Sequence, residues 1–132
     1  MKIKKGEIEH FHRRGWLVLC GDARELLPAL AEEGIQGDLT LYSPPYNVGI
    51  KYDNYEDRLP TNHYVRFLVK LAEACGTNLK DGGYMVVNMP LGLNQKDPKS
   101  KETVYIPYGA MLMYELFYFN VKGFHQTGAV SY

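Results

Sequence analysis

At 132 residues and 45% hydrophobic content, the chain is long enough for one domain with a buried core and too short for several. Fifteen basic side chains balance fifteen acidic ones, so no global field draws in nucleic acid, and contact with DNA must rest on a local patch or on a further polypeptide. Two cysteines in apolar surroundings, Cys20 and Cys75, read as small core residues; this excludes an extracellular disulfide framework and implies a reducing, cytoplasmic setting.

The chain opens on Met1-Lys2-Ile3-Lys4-Lys5, basic but with no apolar run behind it, so it is not read as a signal peptide, and no segment reaches the length of a membrane span. His10 and His12 alternate as ligands on a strand do, yet no further Cys or His cluster joins them, and no metal site is expected. Trp16-Leu17-Val18-Leu19-Cys20, ended by Gly21, reads as a buried strand. Asp22 stands at an N-cap, Ala23 to Glu33 places Leu26, Leu27 and Leu30 on one helix face, and Gly34 closes that helix. Asp38-Leu39-Thr40-Leu41-Tyr42 is the next short buried strand, stopped by Pro44 and Pro45.

Gly49 to Arg58 is a polar loop rich in Tyr and Asp. Thr61 caps a long helix with Tyr64, Phe67, Leu68, Leu71 and Ala72 at helical spacing and Gly76 near its end. Asp81-Gly82-Gly83 is a turn, followed by a strand over Tyr84-Met85-Val86-Val87-Asn88. Leu91 to Glu102 is a long loop with Lys96, Lys99 and Lys101, a helix is predicted from about Tyr108 to Phe119, and Gly123-Phe124 begins a last segment. Strands alternating with helices predict an α/β fold with an open, mostly parallel sheet and helices on both faces.

The strongest chemical signal is Ser43-Pro44-Pro45-Tyr46, at the carboxyl end of a strand, where ligands bind in open α/β sheets. The prolines remove backbone N–H groups and hold φ near −65°, so nearby carbonyls point outward unopposed. A hydroxyl, a carbonyl and an aromatic ring in one corner are suited to making an exocyclic amine on adenine or cytosine nucleophilic. Acceptors on the amine protons, the Ser43 hydroxyl oxygen and the Pro44 carbonyl, favour the pyramidal amine, and they matter most as positive charge grows on nitrogen. Tyr46 stacks on the base once it has left the duplex.

Gly21-Asp22-Ala23-Arg24-Glu25-Leu26-Leu27, then Asp38 through Asn47, resembles the start of the beta-class DNA amino-methyltransferases, and the similarity runs on to Gly123-Phe124. The resemblance implies a partial Rossmann-like fold and site-specific transfer of a methyl group from S-adenosylmethionine to a flipped base in double-stranded DNA. Ser at the first motif position favours cytosine N4 over adenine N6. Catalytic roles fall on Ser43, Pro44, Pro45 and Tyr46, cofactor contacts on Asp22 and Ser43, and substrate contacts on Tyr46, Asn47, Lys51 and Tyr52. The family's Phe-x-Gly-x-Gly cofactor motif and its target-recognition region are absent. Residues 1–132 therefore read as a single, incomplete catalytic domain, completed by a second polypeptide or inactive by itself.

Other readings stay open. Asp22 serves equally as a helix cap, which leaves one oxygen free. The loop from Asn47 to Arg58 covers cofactor or base, or is simply exposed. Lys96, Lys99 and Lys101 read as a solvated loop, and Tyr114, Phe117, Tyr118 and Phe119 as helix packing. Asn88-Met89-Pro90 ends a strand that borders the site. Related Pro-Pro-Tyr loops also serve enzymes that methylate amino groups of RNA or a protein glutamine, though usually with Asn first.

Overall fold

The computed structural model describes the backbone of residues 10–13 and residues 16–53, 55–97 and 100–118. The expected segment from Gly123-Phe124, with Lys99 and Phe119, lies outside them. In chain order the elements are β1 (His10–Arg13), β2 (Trp16–Leu19), α1 (Ala23–Glu32), β3 (Gly37–Tyr42), α2 (Thr61–Thr77), β4 (Leu79–Val87), β5 (Leu93–Lys96), β6 (Thr103–Ile106) and α3 (Tyr108–Tyr118). This is a mixed α/β architecture.

The single open sheet expected from the sequence is not what the described residues form. They make three separate two-stranded sheets, β1–β2, β3–β4 and β5–β6. The first and last are antiparallel, with His10 opposite Leu19 and Leu93 opposite Ile106. Only β3 and β4 ascend together: Gly37 N–H donates to Asn78 O and Asn88 N–H to Tyr42 O. Antiparallel hairpins close over a short turn, whereas each parallel neighbour needs a full crossover. The loop expected from Leu91 to Glu102 thus contains β5 and the turn into β6. Lys101 (φ 63°) sits in that turn, and its N–H donates to Asp97 O.

Two compact units are present. The first comprises Met1–Thr40 and Leu71–Met85, the second Leu41–Lys70 and Val86–Tyr132. In the first, Leu26 and Ala29 of α1 and Leu71, Ala72, Ala74 and Cys75 of α2 are buried. Asp22 caps α1 through a bond from Arg24 N–H to its Oδ1 (2.9 Å). Gly34 at φ 77° reverses the chain where a side chain would be strained. In the second, Tyr64, Val65 and Leu68 of α2 are buried, as are Tyr108, Leu112 and Leu116 of α3. Thr61 is the first residue of α2 rather than its cap; the Pro60 carbonyl accepts from His63 and Tyr64 N–H.

Burial corrects several expectations. β2 is a strand but an exposed one, with Trp16 74% accessible, and Cys20 after it is exposed while Cys75 is buried. Leu39 and Leu41 of β3 are likewise exposed, Leu41 at 67%. Apolar runs are buried only if their sheet is covered on both faces, and each strand here has a single partner among the described residues. On α3, Tyr114 and Tyr118 face outward and stack on each other (centroids 4.9 Å) instead of packing inward.

Candidate active site

β3 ends at Tyr42, and the two prolines turn the chain away. Ser43 is exposed there, and its Oγ donates to the Asn88 carbonyl at 3.0 Å. Tyr46 Oη lies 2.8 Å from Ser43 Oγ and 3.4 Å from the same carbonyl. Both hydroxyls have the Asn88 carbonyl as an acceptor, and either can donate in the bond between them. With the Ser43 proton on the shorter bond to Asn88 O, Ser43 accepts from Tyr46 and keeps one lone pair. The arrangement presents Ser43 as an acceptor.

The two proline carbonyls are sorted by α2. Tyr64 Oη donates to Pro45 O at 2.6 Å, whereas among the described residues no donor bonds the Pro44 carbonyl. Burial, followed by the neighbouring Tyr55, Tyr108, Asp57 and Tyr46, pushes the Tyr64 hydroxyl well above the usual tyrosine range, so it remains a protonated donor. Its ring is wedged edge-on against Tyr108 at 4.7 Å. The Tyr46 ring is half-buried, and among the described residues no other ring stacks on it.

Beyond the motif the loop is built rather than loose. Asn47, 3% exposed and at φ 62°, donates from Nδ2 to Leu59 O and Tyr108 Oη and accepts Leu59 N–H on Oδ1. Gln95 Nε2 donates to its carbonyl, and Tyr108 Oη donates to Gln95 Oε1. With every polar atom committed and the side chain buried, Asn47 holds the loop. Asp57 lies beneath residues 47–50 as a buried carboxylate. Lys51 and Tyr52 remain exposed, Lys51 bridged through its backbone to Glu56 and Tyr52 edge-on to Tyr55 at 5.9 Å. Sequence reasoning missed Asp57, Tyr64 and Gln95, because only tertiary partners distinguish them from ordinary loop and helix residues.

In the other unit, Asp22 is more occupied than a plain cap. Arg24 Nε bonds both of its oxygens and Nη2 bonds Oδ2, so no oxygen is left wholly free. The Arg24 side-chain bonds hold the carboxyl below the usual aspartate range, against the opposing effect of partial burial.

A sequence profile of the N6/N4 DNA methylase family matches residues 37–126, from the start of β3 past the end of α3. The chain belongs to that family. It is 39% identical over 79 residues to the type II methyltransferase M.BglI of Bacillus subtilis, covering 60% of this chain and 21% of that protein. It is 38% identical over 58 residues to the type II methyltransferase M.MjaVI of Methanocaldococcus jannaschii, covering 44% of this chain and 30% of that protein. With M.HpaI of Haemophilus parainfluenzae, also a type II methyltransferase, the identity is 35% over 72 residues, 54% of this chain and 22% of the relative. The chain thus aligns with less than a third of each relative's length. No solved structure matches it.

Proposed function

We propose that this chain is the motif-bearing part of a site-specific methyltransferase acting on an exocyclic amine of a flipped base in double-stranded DNA, cytosine N4 ahead of adenine N6. The observation that carries the reading is the Ser43–Tyr46–Asn88 cluster. A serine whose proton the Asn88 carbonyl can accept, beside the carbonyl of the buried Pro44, which has no donor among the described residues, is suited to receive two amine protons. Ser43 and Pro44 accept from the amine, turn its lone pair out of the ring plane and gain strength as positive charge develops. Tyr46 offers its ring to the extruded base, a contact worth about 1–3 kcal/mol. Pro45, held by Tyr64, keeps the turn in shape. Lys51 and Tyr52, on the exposed part of the following loop, face the nucleic acid.

S-adenosylmethionine supplies the methyl group when bound. Asp22 fits it as one outer acceptor, because its carboxylate, although bonded to Arg24, keeps 40% of its side chain exposed. Ser43 is the second contact assigned to it. A Rossmann-like sheet enclosing that cofactor needs strands beyond the three pairs described, and in this reading they come from a region bearing the Gly-rich motif, with the completed enzyme acting in the cytoplasm. The exposed Leu39, Leu41, Tyr84 and Val86 of β3 and β4 favour such an addition. Among the described residues no helix is long and apolar enough to cross a membrane.

The test is tritiated methyl incorporation by the completed enzyme into duplex DNA, RNA and protein. Transfer to DNA is expected, with Ser43→Ala and Tyr46→Ala each lowering turnover strongly while the fold persists. Wild-type rates in both variants, or transfer only to RNA or protein, overturn the proposal.

A further inference from the structure

The segment that follows the catalytic motif is organised around a single side chain. Asp57 is 2% exposed, and its carboxylate accepts four consecutive backbone N–H groups: Asn47 on Oδ1 at 2.9 Å, and Val48, Gly49 and Ile50 on Oδ2 at 3.1, 2.9 and 2.9 Å. The Asp57 carbonyl also accepts from Gly49 N–H at 2.8 Å. Four backbone N–H groups thus give both oxygens of this buried side chain hydrogen-bond partners. For all four donors to converge, the backbone must coil tightly, and it does so with Asn47 at φ 62° and Gly49 at φ 87°. A Cβ on Gly49 would also run into the Arg58 side chain, 2.1 Å from Nε.

Asn47 directly follows Tyr46, so the peptide leaving the motif is held at its first atom. On the other side the Asn88 carbonyl holds Ser43, and Tyr64 holds Pro45. Without Asp57 the motif keeps those two anchors, and Asn47 keeps its bonds to Leu59, Tyr108 and Gln95, but the amides of residues 47–50 lose their common acceptor, including the bond to the peptide next to Tyr46. We propose that Asp57 is a positioning residue for the methyl-transfer site: it touches neither base nor cofactor, and it acts by clasping residues 47–50 so that Tyr46 and the Pro44 carbonyl keep their pose. This rests on the methyltransferase reading for its effect on rate, but not for the clasp itself.

The experiment has two arms. Amide hydrogen exchange is compared between the wild-type chain, Asp57→Asn and Gly49→Ala; the second variant disturbs the coiled backbone without touching the buried charge and stands in if Asp57→Asn does not fold. Exchange at residues 47–50 is expected to rise at least about ten-fold while amides of α2 and α3 keep their protection. In the completed enzyme, single-turnover methyl transfer at saturating DNA, counted per active site by titration, is expected to fall at least about ten-fold, since a misplaced acceptor raises the barrier of the bound complex. A variant that merely lost folded protein would show fewer sites of normal rate, and that result overturns the positioning role. Unchanged exchange at 47–50 overturns the clasp. If the wild type transfers no methyl group, the function reading fails by itself, and the exchange arm still decides the clasp.

Discussion

A hydroxyl receives an incoming N–H only if its own proton is directed elsewhere, and the Asn88 carbonyl provides that direction for Ser43. Tyr46 has two separable parts here, a ring, which the proposed function gives to the base, and a hydroxyl bonded to Ser43. Tyr46→Phe keeps the ring and removes the donor, so turnover in the completed enzyme should fall by only about ten-fold. Ser43→Ala removes an acceptor that strengthens in the transition state and should cost about 3 kcal/mol, or more than a hundred-fold. Single-turnover rates for the two variants check the order; a larger loss in Tyr46→Phe than in Ser43→Ala contradicts this partition. Asp22 makes a different residue-scale prediction, about stability. Its carboxyl lies below the usual 3.8 in the folded chain because of Arg24, so the ionised form is favoured by folding. That contribution is present above the ordinary aspartate value and is lost as pH falls through the lowered one. Asp22→Ala should therefore cost about 1 kcal/mol near neutrality, mostly through the cap, because an exposed ion pair adds little. Urea midpoints of wild type and variant should draw closer, by the charge-dependent part only, as the solution is made acidic; a gap that stays constant would show that the charge is not involved.

Among the elements, helices were legible in the sequence and the setting of strands was not. The α2 face of Tyr64, Leu68, Leu71 and Ala72 is buried as its spacing predicts, because a 3.6-residue repeat names the inward side directly. An apolar run such as Trp16 to Leu19 states only that a strand forms, and whether anything covers it depends on neighbours far away in sequence. β5 was hidden for another reason: Leu93-Asn94-Gln95-Lys96 is polar, and only its pairing with Thr103–Ile106 makes it a strand. The motif corner was legible, since its chemistry is local, but the Asp57 carboxylate beneath it was not, because ten residues separate it from Asn47. The two cysteines test this difference in setting. Cys20, after an exposed strand, should be alkylated readily by iodoacetamide in the native chain. Cys75, buried in α2 with its thiol pushed up to about 11 by that burial, should react only after unfolding. Mass mapping of the labelled site decides, and prompt labelling of Cys75 would mean that the packing of α2 is wrong.

For the whole molecule, the important pairing is between exposed apolar strands and a balanced charge. In the first unit Trp16, Leu17, Val18, Leu39 and Tyr84 are exposed, and in the second Leu41, Val86, Val104 and Tyr105. Isolated apolar side chains on a surface are ordinary, but β2 leaves successive apolar residues exposed, and because strand side chains alternate, both of its faces carry them. A large net charge would oppose association of like chains; fifteen positive and fifteen negative groups supply none. The chain alone should therefore associate in a concentration-dependent way near neutral pH, and added salt should change this little, because burial of apolar area and not charge drives it. A polypeptide bearing the Gly-rich motif should compete for the same strands. Sedimentation across a range of loading concentrations, with and without that polypeptide, measures both effects. A chain that stays monomeric throughout, or whose association is abolished by salt, would show that these strands are not what drives contact, and the case for a completing partner would then rest on the sequence motif alone.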